Sequence, residues 1–319
     1  MSDAHIGNDR LKPTWGLGID AGGTRTRWAL ADAAGVLVVE GAVQGMSGLQ
    51  LQTPTGLTHL CTVLQNLASA VTMHTGSEPL SLCAGFTGLG SNDSEMAMQK
   101  MLADVLPLVP GCVILTSDID IAYRAACEPG RGYLVYAGTG SIACYVDAVG
   151  QIHRIGGRGG ILGDEGGGYW IAREALAQVW RSEDRQPGAW RNSAMARRIF
   201  AAVGGDDWAF SRHFMYTRQR GEIGQLALQV AQSAADDNAA RQILLRAGAE
   251  LAQLAGHLLH RFGPLPLVVA GRTLCLSPLI EQSLRAGLPA SLNLRVAPDL
   301  MAHHTAARLA VNSQPLAHA

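Results

Sequence analysis

The sequence predicts an α/β protein built from two related domains, and three observations carry that expectation. The chain has 319 residues, 48% of them hydrophobic, which is enough for a large core and beyond the length at which one core usually divides into two. Strand-like runs alternate with amphipathic helical ones, the pattern of parallel pairing. The arrangement strand, Gly/Thr turn, strand, Gly turn, strand also occurs twice. Thr24 and Gly35 are 11 residues apart, as are Thr139 and Gly150, and the two blocks are offset by 115 residues. Such a repeat marks a duplication, with two related domains facing each other.

Residues 1–13 are polar, with no apolar stretch of a secretory signal, and are expected to be a disordered lead-in. The first block then opens with a strand, Trp15 to Asp20, running into Ala21-Gly-Gly-Thr-Arg-Thr26. A second strand (Arg27 to Ala31), a turn at Ala33-Ala34-Gly35 and a third strand (Val36 to Glu40) complete an antiparallel meander. Thr53 followed by Pro54 opens a helix whose apolar stripe is Leu57, Leu60, Leu64, Leu67 and Val71. Buried strands at Leu82 to Phe86 and Cys112 to Thr116 flank a helix from about Ser94 to Leu106, and a helical segment Ile121 to Cys127 follows.

The second block repeats the first, with strands Tyr133 to Tyr136, Ile142 to Val146 and Ile152 to Ile155 separated by Ala137-Gly-Thr-Gly-Ser141 and Asp147 to Gly150. Asp164-Glu-Gly-Gly-Gly168 is expected to open a helix through Ile171, Ala175, Leu176 and Val179. A long amphipathic helix covers Asn238 to about Phe262. Strand Leu267 to Ala270, the turn Gly271-Arg272-Thr273, a helix capped by Ser277 with Pro278 at its first position, strand Asn293 to Ala297 and helix His304 to Val311 close the chain.

Composition excludes several functions. With 25 basic against 26 acidic side chains and a net charge of −1, the chain carries no electrostatic footprint for nucleic acid or an anionic membrane. Aromatic residues, at 5%, are too few for a base-stacking surface. No run of apolar residues is long enough to span a bilayer. The only lysines are Lys12 and Lys100, and neither follows a glycine-rich loop, so a Walker-type phosphate loop is impossible. The six cysteines lie in apolar runs without a Cys-x-x-Cys pair and are expected to be buried reduced thiols of a cytoplasmic protein. His257 and His260 sit three apart and His303 and His304 are adjacent, but no third ligand at suitable spacing supports zinc.

The chemistry concentrates in four places. In Asp20-Ala-Gly-Gly-Thr-Arg-Thr26, glycines let backbone N–H groups wrap an anion, Thr24 adds a hydroxyl, and Asp20 at the strand end is placed to hold hydrated Mg²⁺ beside phosphates. Gly138-Thr139-Gly140-Ser141 is the same device in the second block, and two such turns could clamp one polyphosphate. Gly156-Gly-Arg-Gly-Gly-Ile-Leu-Gly-Asp-Glu-Gly-Gly-Gly168, rich in glycine with Asp164 and Glu165 inside it, suits a polyhydroxylated ligand, although acids there could also complement a helix dipole. Asp118 and Asp120 follow a buried strand, where α/β sheets place ligand-binding groups and where a helix N-cap is equally at home.

At these motifs the sequence resembles the N-acetylglucosamine/glucosamine kinase branch of the BadF/BadG/BcrA/BcrD ATPase family, within the actin–hexokinase–Hsp70 superfamily of duplicated ribonuclease-H-like domains. The resemblance covers about residues 15 to 310 and rests on three ordered motifs: Ile19 to Thr26, Ala137 to Ser141, and Gly156 through Gly166. It implies two actin-like ATPase domains with a nucleotide cleft between them. One would be residues 14–117 with the C-terminal helix 301–319, and the other residues 118–300 with a helical insertion. ATP with Mg²⁺ would be held by Asp20 (through water), Gly22, Gly23 and Thr24, by Gly138, Thr139 and Gly140, and by Ala270 and Gly271. Asp118 would be the base that deprotonates the sugar 6-hydroxyl. The amino sugar, N-acetylglucosamine or glucosamine, would meet Thr87, Asp118, Ser141, Gly157, Arg158, Gly159, Asp164 and Glu165, and the enzyme would be a homodimer.

The sequence departs from the family pattern at Arg158, where tryptophan is common. It also departs around Gly45-Met-Ser47, at Arg272, and at Thr305-Ala306. Two rival functions stand beside the kinase: an activator-type ATPase coupled to a shared iron–sulfur cluster, for which the cysteine pair is missing, and a non-catalytic sugar sensor.

Overall fold

The computed structural model describes residues 13–89 and 91–313, so the lead-in expected at residues 1–13 lies almost wholly outside the described residues. The chain divides into two compact units, the described residues of Met1–Ala125 with Met301–Ala319, and Ala126–Leu300.

Unit 1 begins with the meander β1 (Trp15–Ala21), β2 (Arg25–Asp32) and β3 (Leu37–Gln44), each antiparallel to the one before. Helix α1 (Pro54–Thr75) follows, with the Thr53 hydroxyl accepting from the Gly56 N–H as its N-cap. It buries Leu60, Val63, Leu64, Leu67 and Val71, each of which contributes about 1.5–3 kcal/mol on leaving water. Leu57, expected on that stripe, is 39% exposed. Strand β4 (Leu80–Phe86), helix α2 (Asn92–Ala103), strand β5 (Leu108–Ser117) and helix α3 (Asp118–Ala126) complete the N-terminal part. The sheet order is β3-β2-β1-β4-β5, with β4 parallel to both β1 and β5.

Unit 2 repeats this topology. Strands β6 (Tyr133–Ala137), β7 (Ser141–Val146) and β8 (Ile152–Gly156) form its meander. A helical stretch follows: α4 (Gly159–Leu162), α5 (Gly168–Arg185), α6 (Ala194–Val203), α7 (Trp208–Thr217), α8 (Arg220–Gly224), α9 (Leu226–Ser233) and α10 (Asn238–Phe262). Then come β9 (Leu267–Ala270), α11 (Pro278–Ala286) and β10 (Leu294–Ala297). Read from its meander edge, the sheet is β8-β7-β6-β9-β10, the same order and strand directions as in unit 1. The duplication legible in the glycine spacing is thus a duplication of whole sheets.

The last helix, α12 (Ala302–Asn312), returns to unit 1 and packs on the face of β1. It comes so close that a Cβ on Gly18 would lie 2.2 Å from the His303 carbonyl oxygen and one on Gly16 2.6 Å from the Ala307 carbonyl oxygen. Glycine at alternate strand positions, opposite buried Ala306, Ala307 and Ala310, permits that approach.

Three of the cysteines, Cys83, Cys112 and Cys144, are buried as expected, but Cys61 and Cys275 are exposed. Cys61 falls on the solvent side of α1, one position beyond buried Leu60, and Cys275 lies at the end of a 3₁₀ turn. Burial pushes the Cys83 thiol up to about 12 and the Cys127 thiol up to about 11, so neither is a thiolate near neutral pH. Among the described residues no helix is long and apolar enough to cross a membrane.

Candidate functional site

In unit 1 the candidate residues meet at the carboxyl ends of three adjacent parallel strands. Asp20 near the end of β1 is in register with Gly85 of β4, and Gly85 with Thr116 of β5. At roughly 4.8 Å per strand, Asp20 and the Thr116–Asp118 corner lie about 10 Å apart along one edge. Gly85 permits the close packing between them, because a Cβ there would sit 3.0 Å from the Ser117 carbonyl oxygen and 3.1 Å from the Asp118 Cα.

Asp118 and Asp120 make different contacts. Asp118, the first residue of α3, is half-buried, and its Oδ1 accepts from the Ile119 N–H at 2.9 Å. Asp120 is buried, and its Oδ2 accepts from the Thr116 hydroxyl at 3.1 Å and pairs with Arg124 Nε at 3.0 Å. The second acid therefore ties the strand end to its own helix, while the first stands at the sheet edge.

The turn Gly22-Gly23-Thr24 between β1 and β2 is open. Its Gly22 N–H reaches the Arg25 carbonyl at 3.2 Å, Gly23 and Thr24 are exposed, and a Cβ on Gly23 would meet nothing. The segment after β3 backs it, with Gly45 so close that a Cβ would lie 2.2 Å from the Gly23 carbonyl oxygen. The Met46 N–H donates to the Thr26 hydroxyl at 3.1 Å. Thr87, half-buried just past β4, links to the same corner: its N–H donates to the Ala21 carbonyl at 3.0 Å and its carbonyl accepts from the Gly48 N–H at 2.9 Å.

In unit 2 the turn Gly138-Thr139-Gly140 is docked on the start of α5. The Gly168 N–H donates to the Gly138 carbonyl and the Tyr169 N–H to the Thr139 carbonyl, both at 2.9 Å, and the Thr273 hydroxyl also donates to the Gly138 carbonyl at 2.8 Å. Gly271, with φ +103°, follows buried Ala270 and touches the same strand end, where a Cβ would lie 2.2 Å from the Ala137 carbonyl oxygen. The Gly138–Gly140 turn and the Ala270-Gly271 segment therefore lie together. Ser141 is buried and donates its hydroxyl to the Glu165 carbonyl at 2.6 Å, so it serves to hold the loop.

The glycine-rich segment differs from expectation in one respect. Asp164 and Glu165 do not open α5, which starts only at Gly168, because Gly166 at φ +79° first turns the chain. Asp164 itself is the only non-glycine residue with positive φ (+63°) among the described residues. Such a conformation in a buried carboxylate persists only when its surroundings hold it. Arg220 at the start of α8 supplies the countercharge, 2.9 Å from Oδ2 but off the hydrogen-bonding direction. Asp164 also abuts Gly140, where a Cβ would come within 2.5 Å of Oδ2. The second turn and the glycine-rich loop are thus one structure. Gly157 and Gly159 take positive φ on either side of exposed Arg158, and Ile161 and Leu162 beside them are 91% and 79% exposed. Burial first, then the neighbouring carboxylate of half-buried Glu165, raises Glu250 above the usual carboxylate range.

Arg220 and Gly85 escaped the sequence reading. Nothing around Arg220 marks it, since its partner lies 56 residues earlier, whereas a glycine inside a buried strand such as Gly85 is a readable sign of close approach.

The chain is similar to several known proteins. An N-acetylmuramic acid/N-acetylglucosamine kinase of Clostridium acetobutylicum is 28% identical over 173 residues, a match spanning 53% of this chain and only about half (55%) of that relative's length. An N-acetyl-D-glucosamine kinase of Dictyostelium discoideum is 23% identical over 93% of this chain and 98% of its own. In fold, the chain is similar to a solved structure from Chromobacterium violaceum proposed to be an N-acetylglucosamine kinase. The TM-score is 0.69 at 21% identity, covering 94% of this chain and 99% of that one. The two sheets of like topology accord with the duplicated ribonuclease-H-like fold of such proteins. The profile of the BadF/BadG/BcrA/BcrD ATPase family matches residues 17–284, and the chain belongs to that family.

Proposed function

We propose that the protein is an ATP-dependent amino-sugar kinase that phosphorylates N-acetylglucosamine or glucosamine at the 6-hydroxyl. The observation that carries this reading is the pair of carboxylates at one sheet edge, Asp20 beside an open glycine turn and Asp118 across β4 from it. Phosphoryl transfer asks a protein chiefly for positioning and charge neutralisation. Each glycine turn, Gly22–Thr24 in unit 1 and Gly138–Gly140 in unit 2, offers backbone N–H groups and a threonine hydroxyl of the kind that hold phosphate oxygens. Asp20 is a hard oxygen donor at a half-exposed strand end, which fits hydrated Mg²⁺ held through water. That ion, when bound, neutralises phosphate charge.

Asp118 takes the proton of the acceptor hydroxyl, while its neighbour Asp120 has Oδ2 engaged by Thr116 and Arg124. A positioned base of this kind is worth about 10²–10⁴-fold in rate. The unit 2 loop with Gly157, Arg158, Gly159, Asp164 and Glu165 offers its amides and carboxylates to the sugar hydroxyls, and the family resemblance supports a sugar contact at Thr87 in unit 1. The names of the relatives support the substrate class. The family resemblance supports a homodimer in the cytoplasm, to be read by light scattering and by fractionation.

An ADP-release screen over glucosamine, N-acetylglucosamine, N-acetylmuramic acid and glucose tests the reading. An amino sugar is expected to stimulate ADP release most. If no sugar raises it above background hydrolysis, the kinase reading is wrong.

A further inference from the structure

The histidine pair that lacked a third ligand in the sequence acquires one in the fold. His303 and His304 at the start of α12 both direct Nε2 to Glu40 Oε2 on β3, 263 residues away from His303. His303 Nε2 lies 3.1 Å from that oxygen, and the His304 contact is closer still. The three ligand atoms all lie within 4.8 Å of one another. Two ligands each about 2.1 Å from a tetrahedral zinc ion are about 3.4 Å apart, so small side-chain adjustments bring all three to bonding distance.

We propose that Glu40, His303 and His304 form a binding site for a divalent transition metal of the zinc type, which fastens the C-terminal helix α12 to edge strand β3. Two imidazoles and one carboxylate are a donor set suited to zinc or cobalt and poorly suited to Mg²⁺, which prefers oxygen alone. The site is distinct from the Mg²⁺ position proposed at Asp20.

The surroundings favour ligation. His303 is 3% exposed and turns Nε2 toward Glu40. The backbone is fixed from both sides. The β2–β3 register, shifted at Leu30/Ala31, sets Glu40 opposite Ala29, while Gly18 sits against the His303 carbonyl. Glu40 is 54% exposed, which leaves a path for the ion and room for water as a remaining ligand.

Equilibrium dialysis of the full chain against Zn²⁺, with bound metal counted by atomic spectroscopy, tests the site. Cys61 and Cys275 are first changed to serine, because exposed thiols also take zinc. One zinc per chain is expected, and Co²⁺ should give visible ligand-field bands without thiolate charge transfer. Glu40→Gln and His304→Gln should each weaken zinc binding by at least the 10–100-fold that losing an outer-shell partner costs. Added Zn²⁺ should raise the melting temperature of the parent and not of either variant. If His304→Gln does not fold, Glu40→Gln at its exposed strand position decides. No retained zinc, or equal retention by parent and Glu40→Gln protein, overturns the proposal.

Discussion

Arg220 stands 2.9 Å from Asp164 and over the Tyr169 ring at 6.0 Å, so one exposed guanidinium holds down a buried carboxylate in a left-handed turn. Removing it strands the charge. Arg220→Met is expected to cost about 1–3 kcal/mol, less than for a fully buried pair because Arg220 is 44% exposed and water can partly replace it. Arg220→Lys should recover part of the loss. A urea midpoint for Arg220→Met equal to that of the parent would show that the turn is held by its glycines alone.

Asp118→Asn keeps the shape of the carboxylate but cannot accept a proton. Turnover should fall by about 10²–10⁴-fold, with sugar binding by calorimetry and the melting temperature little changed. Asp120→Asn should behave in the opposite way. It weakens the contacts to Thr116 and Arg124, lowering stability by on the order of 1 kcal/mol, while most activity survives. If the inactive variant is Asp120→Asn, the base has been assigned to the wrong acid.

Much of the fold was legible because its signals are local. The two glycine-turn meanders, the Thr53-Pro54 start of α1 and the apolar faces of α1 and α10 each lie within a few turns of chain. What escaped depends on pairing. That Gly85 stands between Asp20 and the Asp118 corner follows from the β1-β4-β5 register. Arg220 reaches Asp164, and Glu40 reaches His303, only through tertiary packing. The expected start of α5 was misplaced because acids before a hydrophobic run read as a helix opening, whereas the left-handed Asp164 and Gly166 delay it to Gly168.

Thr139→Val preserves volume and deletes a hydroxyl. If that hydroxyl donates to a phosphate oxygen, its loss costs about 1.5–3 kcal/mol in the use of ATP, with sugar affinity unaffected. The backbone carbonyl that accepts from the Tyr169 N–H is retained, so the turn itself should persist. An unchanged Michaelis constant for ATP together with an unchanged turnover number would remove Thr139 from the site.

Mild acid should destabilise unit 1 through His303. Its folded value lies below the ordinary 6.5, chiefly by burial, with His304 and Arg27 opposing the charge and Glu40 favouring it. Above 6.5 the ring is neutral in both states and the contribution is complete. As pH falls below 6.5 the unfolded chain takes up a proton that the folded one refuses, so stability is lost toward the lower folded value. In metal-free protein, the melting temperature of the parent should drop more steeply between pH 7.5 and about 5.5 than that of His303→Gln. Parallel profiles would show that His303 does not titrate differently on folding.

Gly18 is where the last helix meets the first strand, and adding one methyl there is expected to do more damage than its size suggests. The new Cβ would lie 2.1 Å from the Ala307 nitrogen, 2.2 Å from the His303 carbonyl oxygen and 2.7 Å from the Ala307 Cα. All three are backbone atoms of α12, so no side-chain rotation relieves the clash and the helix must move bodily. Overpacking typically costs about 1–3 kcal/mol, and here it also loosens Ala302, Ala306 and Ala310 from their buried seats and draws His303 away from Glu40. Gly18→Ala should therefore lose at least 3 kcal/mol in urea titrations. Gly23→Ala is the control, since its Cβ meets nothing within 4 Å and its backbone is not left-handed. Ala307→Gly should fail to rescue Gly18→Ala, because the atoms in collision belong to the main chain. Rescue by that second change would mean that side-chain crowding, not the backbone of α12, sets the spacing.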